Sequence, residues 1–169
     1  MKTIFVTGGA KRIGKAIIEL FAQDNWRVII HYNKSASEAE SLAERINANN
    51  KDTAFVVTGD LDNTEDVQAI ISSVNRISET IDLLVNNASA FYPTPIGEIS
   101  NVHWEKLIGS NLKGPLFLIQ GFKEKLKASK GSIINITDTN LTKGVANYSI
   151  YSAAKAGLES ITKGFGILF

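Results

Sequence analysis

Lys2-Thr3-Ile4-Phe5-Val6-Thr7-Gly8-Gly9-Ala10-Lys11-Arg12-Ile13-Gly14 is the stretch on which the reading of this chain turns. A short apolar, partly β-branched run meets two glycines and then gives way to apolar residues at helical spacing, which predicts strand, tight turn and helix in succession. Gly8 and Gly14 permit a tight turn and close backbone approach. The free N–H groups at the helix start suit a pyrophosphate. The spacing is not G-x-G-x-x-G, because Arg12 stands where the middle glycine would be. A plain strand–helix connection is the competing reading; the strand before, the helix after and the register between them favour a nucleotide turn.

The same alternation continues outward. Candidate strands cover 2–7, 27–31, 53–58, 81–86 and 132–137, most of them nearly continuous apolar runs such as Ile81-Asp82-Leu83-Leu84-Val85, as expected of strands covered on both faces. Between them, Ile13, Ala16, Ile17, Leu20 and Phe21 fall on one helical face, as do Leu42, Ala43 and Ile46. Val67, Ile70, Ile71 and Val74 repeat the pattern after an N-cap at Asn63 or Thr64. Strand–helix alternation with right-handed crossovers predicts an α/β, Rossmann-type doubly wound parallel sheet, helices on both faces, in strand order 3-2-1-4-5. We expect one domain over 1–169. Phe91-Tyr92-Pro93-Thr94-Pro95 follows the fourth strand and reads as a loop, at the sheet end where such folds bind ligands.

Composition narrows the function. The chain has 169 residues, with 18 Lys+Arg against 17 Asp+Glu, a balance that argues against nucleic acid or an anionic membrane as partner. There is no cysteine, hence no disulfide or thiolate nucleophile, and His31 and His103 alone make a metal site an unfavoured reading. The apolar start runs straight into Gly8, too short for a signal or membrane segment, so a cytoplasmic protein is expected. Trp26 and Trp104 read as packing residues.

Two further segments carry chemistry. NAD-selecting sites of this architecture place an acidic residue about 20 positions on, at the end of the second strand. Here that place reads His31-Tyr32-Asn33-Lys34-Ser35, with no carboxylate. Lys34, Ser35 and Arg12 would attract a 2′-phosphate, which favours NADPH over the bland reading of a solvated loop. Tyr151-Ser152-Ala153-Ala154-Lys155 puts a phenol and an ammonium one helical turn apart. A nearby cation would lower the phenol's pKa below about 10 and make it a proton shuttle. Alone, this spacing also describes two surface residues.

Together these residues resemble the short-chain dehydrogenase/reductase family: Thr7–Gly14, Asn86-Asn87-Ala88 after the fourth strand, Asn111, and the Tyr151/Lys155 pair match its motifs in order. Asp60-Leu61 resembles its adenine-contacting pair. Within the family the chain is most similar to pteridine reductases and dihydromonapterin (dihydrofolate) reductases, through Arg12, His31-Tyr32-x-Lys34-Ser35, the Asn87 to Pro95 segment and Asp138. Ser89 replaces the usual glycine after Asn-Asn-Ala, and Asp138, thirteen positions before Tyr151, stands where most members carry a catalytic serine.

The resemblance implies NADPH-dependent reduction of a dihydropterin, with Tyr151 as proton donor, Asp138 as its partner, Lys155 orienting the nicotinamide ribose and Asn111 holding a water chain behind it. It places Gly8, Arg12, Ile13, Gly14, His31, Tyr32, Lys34, Ser35, Asp60, Leu61, Asn87, Ala88, Ser89, Tyr151 and Lys155 on the cofactor, and Ser89, Phe91, Asp138 and Tyr151 on a pterin-like substrate. It implies a homo-oligomer, dimer or tetramer, through the helices bearing Asn111 and Tyr151. Three humbler readings stand beside it: Phe91 packing under the proline loop, Asp138 as a turn cap, and Asn111 capping or kinking a helix. At the level of function, the alternatives are another carbonyl reductase such as a 3-oxoacyl reductase, or an inactive cofactor-binding fragment. Members of the family continue well past the Tyr–Lys helix. The ending Lys163-Gly164-Phe165-Gly166-Ile167-Leu168-Phe169, with two glycines weakening the helix, is therefore expected to reflect a shortened chain whose fifth strand is a bare sheet edge.

Overall fold

The computed structural model describes residues 1–165; the end of the glycine-containing tail lies outside them. Five strands, β1 (Thr3–Val6), β2 (Arg27–Tyr32), β3 (Ala54–Thr58), β4 (Leu83–Asn86) and β5 (Ser132–Asn135), form one parallel sheet in the order β3-β2-β1-β4-β5. The chain winds from β1 to β3 in one direction and then returns past β1 to β4 and β5. The reversal leaves a crevice between β1 and β4 at their carboxyl ends. The strands match the sequence expectation to within two residues at each end.

Alternate strand residues feed two cores. Ile4, Val6, Val28, Ile30 and Val85 meet α1 (Arg12–Gln23) and α2 (Ala36–Asn49) through Ile18, Ala39, Leu42 and Ile46. Phe5, Ile29, Val57 and Leu84 meet α3 (Thr64–Ile77) and α5 (Gly114–Ser129) through Ile70, Val74, Leu118 and Phe122. Burying one Leu or Phe side chain is worth about 1.5–3 kcal/mol, so these two layers supply most of the driving force. Asn63 caps α3, its side chain accepting from the Asp66 N–H, as expected.

On α1 the buried stripe differs from the one expected. Ile13 and Leu20 are 62% and 58% exposed and Ala16 is exposed, while Gly14 and Ile18 face the sheet with Ile17 and Phe21 half-buried. The reason is tertiary: Gly14 sits against the glycine turn, where an added Cβ would lie 2.2 Å from the Gly8 carbonyl oxygen. That close approach sets the Gly14–Ile18 line deepest against the strands, with Ile17, Phe21 and Ala22 packed at its margin.

Trp104 also departs from its expected packing role, being 50% exposed on α4 (Asn101–Ile108), whereas Trp26 packs edge-on to Phe21. The final helix α6 (Ser149–Phe165) runs through Gly164, so that glycine does not end it; Gly166 lies outside the described residues.

Candidate active site

The glycine turn is held from three directions. Gly8 has φ +62°, in the left-handed region that glycine enters without penalty. Thr7 Oγ1 accepts from the backbone N–H groups of Asn87 (2.9 Å) and Ala88 (3.0 Å), which ties β1 to the end of β4. The Asn87 amide donates to the carbonyls of Thr7 (2.9 Å) and Gly8 (3.2 Å), so its donors serve the turn itself. The N–H groups of Gly8 and Gly9 are likewise taken, by the His31 ring (3.1 Å) and the His31 carbonyl (2.8 Å). The donors left for an anion are those of the first turn of α1, at Arg12, Ile13 and Gly14, which have no intrahelical acceptor.

These residues open on a cavity of about 430 Å³ whose walls include Gly8, Arg12, Ile13, Gly14, His31, Asp60, Leu61, Asn87, Ala88 and Ser89. Its size is that of a small-molecule cleft. Lys106 and Ser110 complete the far wall, residues the sequence reading did not select. A neighbouring cavity of about 270 Å³ shares Gly8, Lys11 and Asn33 with it and is lined by Tyr32, Lys34 and Ser35. The expected residues are thus divided between two lobes, Arg12 in the first and Lys34 and Ser35 in the second. Neither Tyr32 nor its three followers carries a carboxylate. Lys11 is engaged at 2.6 Å by Glu38 of α2, while Arg12 and Lys106 line the first lobe and Lys34 the second. Orphan N–H donors, these cations and adjoining lobes fit a dinucleotide.

Arg12 sits there at φ +50°, the conformation a glycine would take easily. An arginine in this region costs about 1–2 kcal/mol. The arginine thus takes up a backbone conformation that a glycine would adopt without that cost.

Tyr151 Oη donates to Asp138 Oδ2 at 2.8 Å. Asp138 lies between β5 and α6, and its other oxygen accepts from the Asn140 N–H at 2.8 Å, capping a short 3-10 turn (Thr139–Thr142). It is therefore both a turn cap and the phenol's partner. That cap, more than the phenol, holds its carboxyl below the usual carboxylate range. Lys155 is buried, donates to the Ile136 carbonyl at 2.7 Å and lies 6.0 Å from the Tyr151 ring centroid.

The electrostatics reverse the expectation of a lowered phenol pKa. Burial first, and the Asp138 carboxylate second, push Tyr151 up to about 12. Burial pulls Lys155 down to about 8, with Asp138 opposing the fall. The physical reason is that the carboxylate is the closer charge, while the ammonium is spent on a backbone carbonyl.

Asn111 lies in a π-helical turn (Gly109–Lys113) between α4 and α5, a local widening often found at functional sites. The extra residue aims its amide at the Ala90 and Leu107 carbonyls (both 2.9 Å), which leaves Oδ1 to accept from Ser89 Oγ at 2.7 Å. Asn111 therefore braces the Asn87–Ala90 segment against α4, and the reading of a distorted helix is correct as well.

Phe91 is 57% exposed and does not pack beneath the proline loop. It stacks on Tyr148 at 4.5 Å and 17°, and meets Tyr151 edge-on at 4.8 Å. Tyr148 escaped the sequence reading, although its place one turn before Tyr151 was a signal. The loop is fastened to the segment before α6 by the Thr94 N–H donating to the Asn147 carbonyl at 2.6 Å.

A reversing parallel sheet with a glycine turn at its switch point, and a Tyr–Lys pair on a helix beside that crevice, defines the class: a Rossmann-type α/β protein. The particular group follows from comparison with known proteins. Residues 2–166 match the model of the short chain dehydrogenase family, and the chain belongs to that family of oxidoreductases.

Among its relatives is pteridine reductase 1 of Leishmania tarentolae, 32% identical over a gapped alignment 196 positions long that covers 94% of this chain and 68% of that one. Another is the 3-oxoacyl-(acyl-carrier-protein) reductase FabG of Staphylococcus aureus strain Mu50, 30% identical over 163 residues that cover 96% and 66%. The chain thus spans about two thirds of the length of these relatives. No helix among the described residues is long and apolar enough to cross a membrane.

Proposed function

We propose that the chain is an NADPH-dependent pteridine reductase, converting a dihydropterin to a tetrahydropterin, with Tyr151 as proton donor. The observation that carries the reading is the 2.8 Å bond from Tyr151 to Asp138 beside the exposed ring of Phe91. A flat heteroaromatic substrate finds a stacking surface in Phe91 and a protonated phenol within the same aromatic cluster. A relative that reduces pteridines is 32% identical, which supports the same assignment.

Arg12, Lys34, Ser35, Tyr32 and the α1 N-terminus would hold NADPH, with Asp60 and Leu61 on the adenine side. Bound there, the coenzyme supplies hydride. Tyr151 then turns its proton from Asp138 to the ring nitrogen that becomes basic as hydride arrives. Lys155 stabilises the phenolate left behind, and Asp138 orients the phenol and returns a proton to it from solvent. Ser89 borders both ligands, and Asn111 holds Ser89 in place. The same reading makes the protein a single cytoplasmic domain that assembles as a dimer or tetramer through α4, α5 and α6. Val102 and Trp104, 72% and 50% exposed on α4, support such a surface.

The test is direct. Purified protein is titrated with NADPH by fluorescence, then given dihydrobiopterin or dihydromonapterin while absorbance at 340 nm is followed. Binding with oxidation of NADPH supports the proposal. Turnover confined to a ketone or acyl thioester would replace it with a carbonyl reductase, and binding without any turnover with a cofactor-binding module.

A further inference from the structure

His31 is the penultimate residue of β2, is 1% exposed, and has both ring nitrogens committed inside the protein. Nδ1 accepts the Gly8 N–H at 3.1 Å, and Nε2 lies 3.0 Å from the Gly59 carbonyl. The first bond requires a bare Nδ1 and the second a protonated Nε2, so one neutral tautomer satisfies both. Burial keeps the ring neutral, pushing its pKa down to about 4 against the Gly59 carbonyl and the Asp60 carboxylate, the charged group that faces it. Phe5 of β1, packed edge-on to the ring, and Gly8 carry no charge.

The two bonded groups lead into separate stretches of the cavity lining, one after β1 and one after β3. Gly8 governs the turn: its carbonyl receives the Asn87 amide and defines the space in which Gly14 fits. Gly59 leads directly into Asp60 and Leu61, the other stretch. The Gly8 N–H and the Gly59 carbonyl have no other side-chain partner among the described residues.

Resting on the dinucleotide reading above, we infer that His31 is a positioning residue whose neutral imidazole clamps the glycine turn to the Gly59–Asp60 segment and so fixes the spacing between these two parts of the dinucleotide site. It acts through Gly8 and Gly59, with no free nitrogen of its own for the cofactor. An asparagine keeps an acceptor near Nδ1, a glutamine reaches only toward the Nε2 end, and alanine keeps neither.

Two measurements test the assignment. Nitrogen-15 NMR of the unaltered, ligand-free protein at pH 7 should show a neutral ring with the proton on Nε2 and the Gly8 amide hydrogen-bonded. A ring protonated on Nδ1, or charged, overturns the inference whatever the protein binds. NADPH fluorescence titration should then give a dissociation constant about tenfold higher for His31→Ala. His31→Asn should stay within about threefold of the unaltered protein, and His31→Gln should resemble alanine. Equal affinities for alanine and asparagine also overturn it. If His31→Ala does not fold, the Asn–Gln comparison and the NMR spectrum still decide. Absence of any NADPH binding by the unaltered protein would sink the functional reading, and the ring's tautomer and the Gly8 amide would then decide the clamp.

Discussion

Arg12→Gly sets two effects of the same side chain against each other. At φ +50° the arginine holds a conformation that costs about 1–2 kcal/mol for a residue with a Cβ. Glycine removes that strain but gives the unfolded chain more freedom, a loss of about 0.5–1 kcal/mol. The difference favours the variant by about 0.5–1 kcal/mol, or roughly 1–4 °C in Tm for a chain of this size. The guanidinium, meanwhile, lines the crevice with no ion pair among the described residues. A charge-assisted bond to phosphate is worth about 1.5–3 kcal/mol when shielded, and exposure takes it to the lower end or below. NADPH should therefore bind about tenfold more weakly, and NADH, which lacks the 2′-phosphate, should lose less. Calorimetry gives the first quantity and paired fluorescence titrations the second. A variant that is less stable by more than 1 kcal/mol, or that binds NADPH unchanged, would refute the trade between strain and phosphate recognition.

Four other outcomes follow from the site. Stability should fall with acid: the folded His31 pKa of about 4 lies below the ordinary 6.5, so below that value the unfolded chain takes up the proton first. The ring's contribution is then whole above about pH 6.5 and is lost as pH drops toward 4, about 2 kcal/mol of it between pH 7 and 5. Urea unfolding of His31→Asn over the same range should lack that slope, and parallel curves would contradict the buried neutral ring. Turnover should be sustained at neutral pH and decline above about pH 8 as Lys155 loses its proton, so a profile flat to pH 10 argues against its charge being used. Tyr151→Phe should cut pterin reduction by at least about 10²-fold with NADPH affinity nearly intact. Asp138→Asn, which still caps the 3-10 turn, should cut it about tenfold without changing Tm; full activity in either variant defeats the proton-donor assignment.

Much of this protein was legible in its residues. Short apolar runs such as Ile4–Val6 and Leu83–Val85 can be satisfied only between two layers, and Gly8 can turn where other residues strain. Strand order, helix sides and the place of the crevice follow from those local facts and from the handedness of crossovers. The Tyr151–Lys155 spacing likewise fixes one helical face without help from the rest of the chain.

What the sequence left open depends on distances between segments far apart in it. The phenol's pKa rises first because the fold buries it and then because Asp138, from another loop, comes closer to it than Lys155 does, neither of which i, i+4 spacing can contain. The exposed stripe of α1 is set by Gly14 pressing on Gly8, and Tyr148 gains its place beside Phe91 only when the proline loop meets the segment before α6. His31 is ordinary in sequence and becomes a clamp because three strand ends converge on its ring. Periodicity and backbone preference act within a few residues and are written in the chain. Electrostatic order and burial arise only when the sheet closes and water leaves.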